Sequence, residues 1–443
     1  MKLIFRASFF LFIFFLLSCK KDKKDTIPPS ITWISPTAGQ AYKMYDTLTV
    51  SATVTDNEHL SYINVTLTDV NRSPLQASYS VPITSAGFTF NIKYILTQFH
   101  LQSGNYLMQI TADDGYNTIS SYQPIYITES PTQLWGYTII IKGTPPTINF
   151  VDTANPTVSL STITLSQAYN GMKYGAYNQQ LYVNGKGVMP FQSFNAQIQS
   201  ITQTANYSAS ATVSQVDYTC LYTDGNKPYV GFLNSDIYSF DNVGAYNTSY
   251  HLNDINFYPY CFTKTSNYGV GVYKSKNTTN PDKIVSFTGY GAFFNSSTLP
   301  TTNFKVVAMF ENGQDSVYVF GNDANNNPQV YIYYANTNSF SNAFSGSPAG
   351  SMLSAVKISS GYVLFSTTSG VYSSSSTSIN PTPLIPTGAQ KLVYQPKLNR
   401  LTVAAGLNLK SYSVGTGSLT AIFNPTLISY TDSIVDFEVI TNK

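Results

Sequence analysis

The chain has 443 residues, enough for more than one compact unit, and carries only 10% charged residues against about 25% in an average soluble chain. Aromatics reach 14%, with 35 Tyr and 2 Trp, and the formal charge is +2. Three His and three Cys leave too little material for a His-based metal centre, a zinc ribbon or a disulfide scaffold, and the low charge excludes a disordered polyampholyte.

At the N-terminus Lys2 and Arg6 precede the apolar run from Ala7 to Leu17, and Ser18-Cys19 and the polar KKDKKD follow. Eleven apolar residues fall short of the ~20 a spanning helix needs, but have the length of a leader's apolar segment. Residues 1–18 are therefore expected to be an export leader and 19–30 a charged tether. Loss of Lys2 and Arg6 takes the formal charge from +2 to zero; the tether's four Lys and two Asp hold +2, leaving about −2 on the rest. A body without basic surface is no partner for a phosphate backbone, so nucleic acid is not expected.

Leu16-Leu17-Ser18-Cys19 resembles a bacterial lipobox, which implies lipidation of Cys19 and a membrane partner through that lipid; a cleaved leader with a chance Cys is the alternative. With the tether and Thr26-Ile27-Pro28-Pro29, this start resembles surface lipoproteins of the Bacteroidota type. The resemblance implies a lipid-anchored protein of the outer membrane at the cell surface, the periplasmic face being the other possibility.

Residues 31–130 read as a first domain. Runs at 31–35, 46–56, 62–70, 87–95, 104–114 and 120–129 are strand-like, most of them alternating apolar with polar as a strand with one wet face requires. About seven short strands in ~100 residues is the size of an immunoglobulin-like sandwich. Gly104, Tyr106, Met108, Ile110 and Ala112 resemble the penultimate strand of such modules, with Tyr106 as the corner residue whose hydroxyl returns to nearby backbone. Asp56, Glu58, Asp113 and Asp114 sit at strand ends; without the repeated acidic spacing of a calcium loop they read as turn carboxylates, and no metal is expected.

Residues 131–443 carry a long-period repeat. A Tyr-Val-like strand recurs at Tyr137, Leu181, Pro228, Tyr268, Val317, Gly361 and Leu401, at intervals of 40–49 residues that average 44. That is the length of one propeller blade. Each copy but the first follows another apolar strand, and the missing strand turns up at the far end of the chain, Ser433 to Ile440. Pairing it with Trp135 to Lys142 completes a ring of seven blades and removes open sheet edges. The expected fold is thus all-β: an N-terminal Ig-like sandwich and a C-terminal seven-bladed β-propeller closed by the C-terminal strand. The Tyr-Val strands loosely resemble the YVTN-type propeller repeat; neither a Trp-Asp nor a kelch double-Gly signature occurs.

The chemistry visible in the sequence is sparse. His59 and His100 fall in the first domain and His251 in the second, so a His-activated nucleophile is disfavoured, and no cofactor is expected. Propeller carboxylates, Asp436 and Glu438 among them, follow no local motif. Cys220 and Cys261 fall at equivalent positions of neighbouring inner strands, as two buried thiols or as a disulfide if their Cα atoms come within ~7 Å. Tyr238, Tyr246, Tyr250, Tyr258 and Tyr290, in a Tyr/Asn-dense stretch, are the candidate contacts for a sugar ring or a protein. The expected work is non-enzymatic recognition or scaffolding of a protein or glycan. The alternative is a carbohydrate-active accessory protein or glycosidase, which needs two acids facing each other ~5–9.5 Å apart across the channel.

Overall fold

The computed structural model describes residues 25–83, 85–98, 100–153, 159–165, 169–185, 191–196, 200–205, 218–224, 227–240, 246–343, 348–375, 378–422, 428–429 and 432–442, with backbone alone at 200–205, 246–248, 378–379 and 428–429. The leader, Cys19 and residues 20–24 of the tether lie outside them. Apart from one 3₁₀ turn at Pro396–Leu398, the regular structure among the described residues is all strand, with no α-helix. The chain divides into two compact units, Met1–Pro131 and Thr132–Lys443.

The first unit is a two-sheet sandwich. One sheet orders Ser30–Ser35, Thr47–Thr55 and Gly87–Ile95. The other orders Gln40–Lys43, Thr118–Thr128, Gly104–Asp113, Tyr62–Thr68 and Tyr79–Val81, the first pair parallel. Gly87–Ile95 alternates exposed with buried residues, so Phe90, Ile92 and Tyr94 enter the core while Asn91 and Lys93 face water. Two polar links cross between the sheets: Leu67 N donates to the buried Tyr94 hydroxyl at 3.1 Å, and Trp33 Nε1 donates to Ser121 Oγ at 2.9 Å. The Tyr106 hydroxyl donates to Gln102 O at 2.8 Å, the corner bond expected from the sequence. Two short strands, Gln40–Lys43 and Tyr79–Val81, escaped the sequence reading. Each is too brief to show a period.

The second unit is a seven-bladed propeller built from seven antiparallel sheets, each with a path of four strands. Blades 2 to 7 are contiguous: Tyr169–Ala205, Tyr218–His251, Phe257–Thr298, Lys305–Asn342, Met352–Ile385 and Lys391–Ala421. Blade 1 combines Leu134–Ile141, Thr147–Asp152 and Ser159–Thr164 with Ile434–Thr441 from the other end of the chain. In that pairing Phe437 opposes Ile139 and Val439 opposes Tyr137, so the closing strand lies where the repeat count required it.

No single core holds the propeller. Each of the seven seams between blades has its own apolar cluster, from Ile148, Phe150, Met172 and Phe194 between blades 1 and 2 to Tyr137, Ile139, Leu409, Phe437 and Val439 between blades 7 and 1. A second strand is covered on both faces, which is why Ser316–Asn322 (SVYVFGN) is buried at every position instead of alternating. The outermost Ser159–Thr164 alternates half-buried with exposed residues. Each large side chain fully buried in a seam stabilises the ring by about 1.5–3 kcal/mol.

Six of the seven innermost strands carry a β-bulge near their start, leaving Asn170, Thr219, Tyr260, Val307, Leu353 and Val435 without a cross-strand partner. A bulge adds twist and re-aims the residues around it. At three of them the carbonyl just before the bulge is capped from the preceding blade. Asn170 Nδ2 donates to Tyr218 O at 3.1 Å, Tyr260 OH to Val306 O at 3.0 Å, and Asn322 Nδ2 to Met352 O at 3.0 Å.

Candidate functional site: the propeller channel

The innermost strands surround a cavity of about 890 Å³ lined by residues of all seven blades. Pairing resumes after the bulges at Gly171, Cys220, Cys261, Ala308, Ser354 and Asp436, and every one of these residues lines the cavity. Five of them are small. The sixth, Asp436, meets Lys391 of blade 7.

This pair belongs to a charged cluster on one wall. Lys391 Nζ is bonded to Asp436 Oδ1 and donates to Glu438 Oε1 at 2.9 Å. Lys173 Nζ of blade 2 lies 3.7 Å from the same Glu438 oxygen, and the Tyr169 hydroxyl donates to Asp436. Asp436 and Glu438 are two apart on one strand and so share a face. Burial works against the Lys391 ammonium, but the two carboxylates outweigh it and hold its pKa above the ordinary lysine value. Burial and the Asp436 charge together push the Tyr169 phenol well up. The opposite wall is largely apolar, with Val307, Ala308, Phe310, Leu353 and Val356.

This arrangement is unlike a glycosidase pair. The two channel carboxylates stand side by side on one strand, both engaged by Lys391, where acid and base should face each other across a gap. The cluster was not legible in the sequence, since Asp436 and Glu438 reach Lys391 across 45 and 47 positions.

Cys220 and Cys261 are free thiols, the first buried and the second half-buried. Burial raises both; Cys261 is pushed up to about 12, with Lys173 opposing the shift. His251 Nδ1 lies 2.7 Å from Asp236 Oδ1, on paired strands of blade 3. In the sandwich, Asp25, Asp56 and Asp114 each bring a carboxylate oxygen within 4.8 Å of the others. The buried Asp114 caps its own loop, Oδ1 accepting from Tyr116 N and Asn117 N at 2.6 Å each.

The four candidate tyrosines whose side chains are described do not share a surface. Tyr238 and Tyr250 are 8% and 1% exposed and pack in the seams flanking blade 3, which corrects their reading as ligand contacts. Strand tyrosines in a propeller face a neighbouring blade, where the ring supplies seam packing. Tyr258 is half-buried, and the side chain of Tyr246 lies outside the described residues. Of the four whose side chains are described, Tyr290 alone is exposed, at 97%, at the tip of the hairpin between Lys283–Thr288 and Phe293–Thr298. Beside it in sequence are Phe293 and Phe294, 51% and 39% exposed, the latter packed on Tyr268 with ring centroids 5.1 Å apart.

No family model matches the chain. No curated protein matches it. Among solved structures, it is similar to a quinonprotein alcohol dehydrogenase-like protein from Bacteroides thetaiotaomicron, at 13% identity and TM-score 0.39 over 94% of this chain and 97% of that one. BamB from Moraxella catarrhalis is 13% identical over 70% of this chain and 94% of its own, with TM-score 0.40. A functionally unknown protein from Desulfotomaculum acetoxidans is 12% identical over 68% and 98%, with TM-score 0.45. Likeness at this level concerns the fold alone and brings no activity or partner to this chain.

Proposed function

We propose that the chain is an outer-membrane lipoprotein, anchored through Cys19, whose propeller serves as a non-enzymatic recognition module for a protein or glycan. The observation that carries the reading is the exposed hairpin of Tyr290, Phe293 and Phe294. Exposed aromatics cost solvation unless a partner covers them, and aromatic side chains dominate binding surfaces. The engaged state of both channel carboxylates supports binding over glycoside hydrolysis.

Two experiments test this. Replacing Cys19 by Ala should move the protein from the membrane fraction to the soluble fraction; retention of the variant in the membrane refutes the anchor. For recognition, the chain lacking residues 1–18 is applied to a glycan array and to solubilised outer-membrane proteins. Tyr290→Ser combined with Phe293→Ser should abolish any signal, and an undiminished signal removes the hairpin from the proposal.

A further inference from the structure

Ile434–Thr441 is the one inner strand that reaches its blade from the opposite end of the propeller's chain. The other six enter their sheets through a hairpin to the strand that follows, so a lost pairing is remade across a short loop. The closing strand must return across the whole loop from Ile141 to Ile434, and the entropy cost of closure rises with loop length. Its backbone ladder runs to Leu134–Ile141 alone.

Besides the apolar packing of Phe437, Val439 and Ile440 in the two flanking seams, charge and hydrogen bonding from both neighbouring blades hold it sideways. Three ion pairs end on this strand: Lys391 with Asp436, Lys391 with Glu438, and Lys173 with Glu438. Tyr169 donates to Asp436, Tyr174 OH to Thr441 O at 2.6 Å, and Gln179 Nε2 to Asn442 O at 2.7 Å, all from blade 2. From blade 7, Gln395 Nε2 donates to Val439 O at 3.3 Å.

We propose that Lys391 is the clasp of the ring: the propeller opens first at Ile434–Thr441, and the Lys391–Asp436–Glu438 contact sets how often it does so. Because Asp436 and Glu438 also line the channel, release of the strand opens the channel wall between blades 7 and 2. The clasp is a conformational device independent of what the propeller binds.

Hydrogen exchange on the full chain, read by mass spectrometry, tests this. In the unaltered protein, Ile434–Thr441 should exchange faster than Lys305–Gly313, the inner strand of blade 5. Lys391→Met strands Asp436, leaves Glu438 with Lys173 alone, and should accelerate exchange in Ile434–Thr441 and Leu134–Ile141 on the order of a hundredfold, leaving Ser316–Asn322 and the sandwich strand Thr47–Thr55 unchanged. Lys391→Arg should keep most of the protection. Equal acceleration in all blades means a general contribution to stability and overturns the clasp, as does no acceleration at all. If Lys391→Met does not fold, Glu438→Gln, which keeps the Asp436 contact, replaces it with the same expected pattern. Should blade 5 exchange faster than the closing strand in the unaltered protein, the order of opening proposed here is wrong.

Discussion

Cys220 and Cys261 hold one register position in neighbouring blades: each is the residue at which pairing resumes after the bulge in its innermost strand. Both line the channel as free thiols. The likeness of their sequence surroundings reflects a repeated backbone device, the bulge, rather than a shared chemical task.

Burial that raises both thiols makes a prediction about labelling. With Cys261 near 12, its thiolate fraction at pH 8 is about a thousandfold below that of a free cysteine. In the chain lacking residues 1–19, iodoacetamide should therefore leave Cys220 and Cys261 almost untouched at pH 8, and modify both at once in denaturant. Rapid modification of the native protein, located by peptide mapping, would contradict their burial.

Lys391 gives the propeller an alkaline dependence of defined sign. A cation whose folded pKa lies above its unfolded value near ~10.4 contributes stability in full below ~10.4 and loses it as pH climbs through the folded value. At neutral pH, Lys391→Met should cost about 3–5 kcal/mol, because it leaves Asp436 without a cation and Glu438 with only the longer contact to Lys173. Buried tyrosines destabilise both proteins at alkaline pH, so the readout is the gap between them in urea melts. That gap should narrow as pH rises beyond ~10.4, and a constant gap would show that the ammonium charge is not what matters.

Tyr106→Phe should cost the sandwich about 0.5–1.5 kcal/mol through the lost bond to Gln102 O. The two tryptophans allow this to be read in the full chain, since Trp33 lies in the sandwich and Trp135 in the propeller unit. In a Trp135→Phe background, Trp33 fluorescence reports the sandwich transition. An unchanged midpoint would show that the corner bond contributes nothing.

Gly321→Ala should destabilise the propeller by about 1–3 kcal/mol or more, because a Cβ there would stand 2.4 Å from Lys305 O, a backbone atom that cannot step aside. Gly87→Ala in the sandwich is the control: its nearest neighbour would be Thr55 Cγ2 at an ordinary 3.8 Å, and its midpoint should stay within about 1 kcal/mol. Calorimetry of the two variants separates close packing from loss of glycine freedom.

Much of this architecture is written along the chain because it rests on periodicity, which a sequence displays directly. The alternation in Thr47–Thr55, the Tyr-Val strands and the leftover apolar segment at the C-terminus point to an all-β fold, seven blades and the strand that closes them. Side-chain partners are another matter. A strand residue has two faces, and in a ring each face belongs to a neighbour tens of residues away, so nothing local distinguishes Tyr250, sealed in a seam, from Tyr290, bare at a hairpin tip. Lys391, Asp436 and Glu438 likewise look like scattered charges until closure places them in one channel wall. Sequence determined the count and order of the blades because those follow from spacing along a line; only the tertiary structure decided which charges and aromatics meet, because that depends on the circle into which the line is bent.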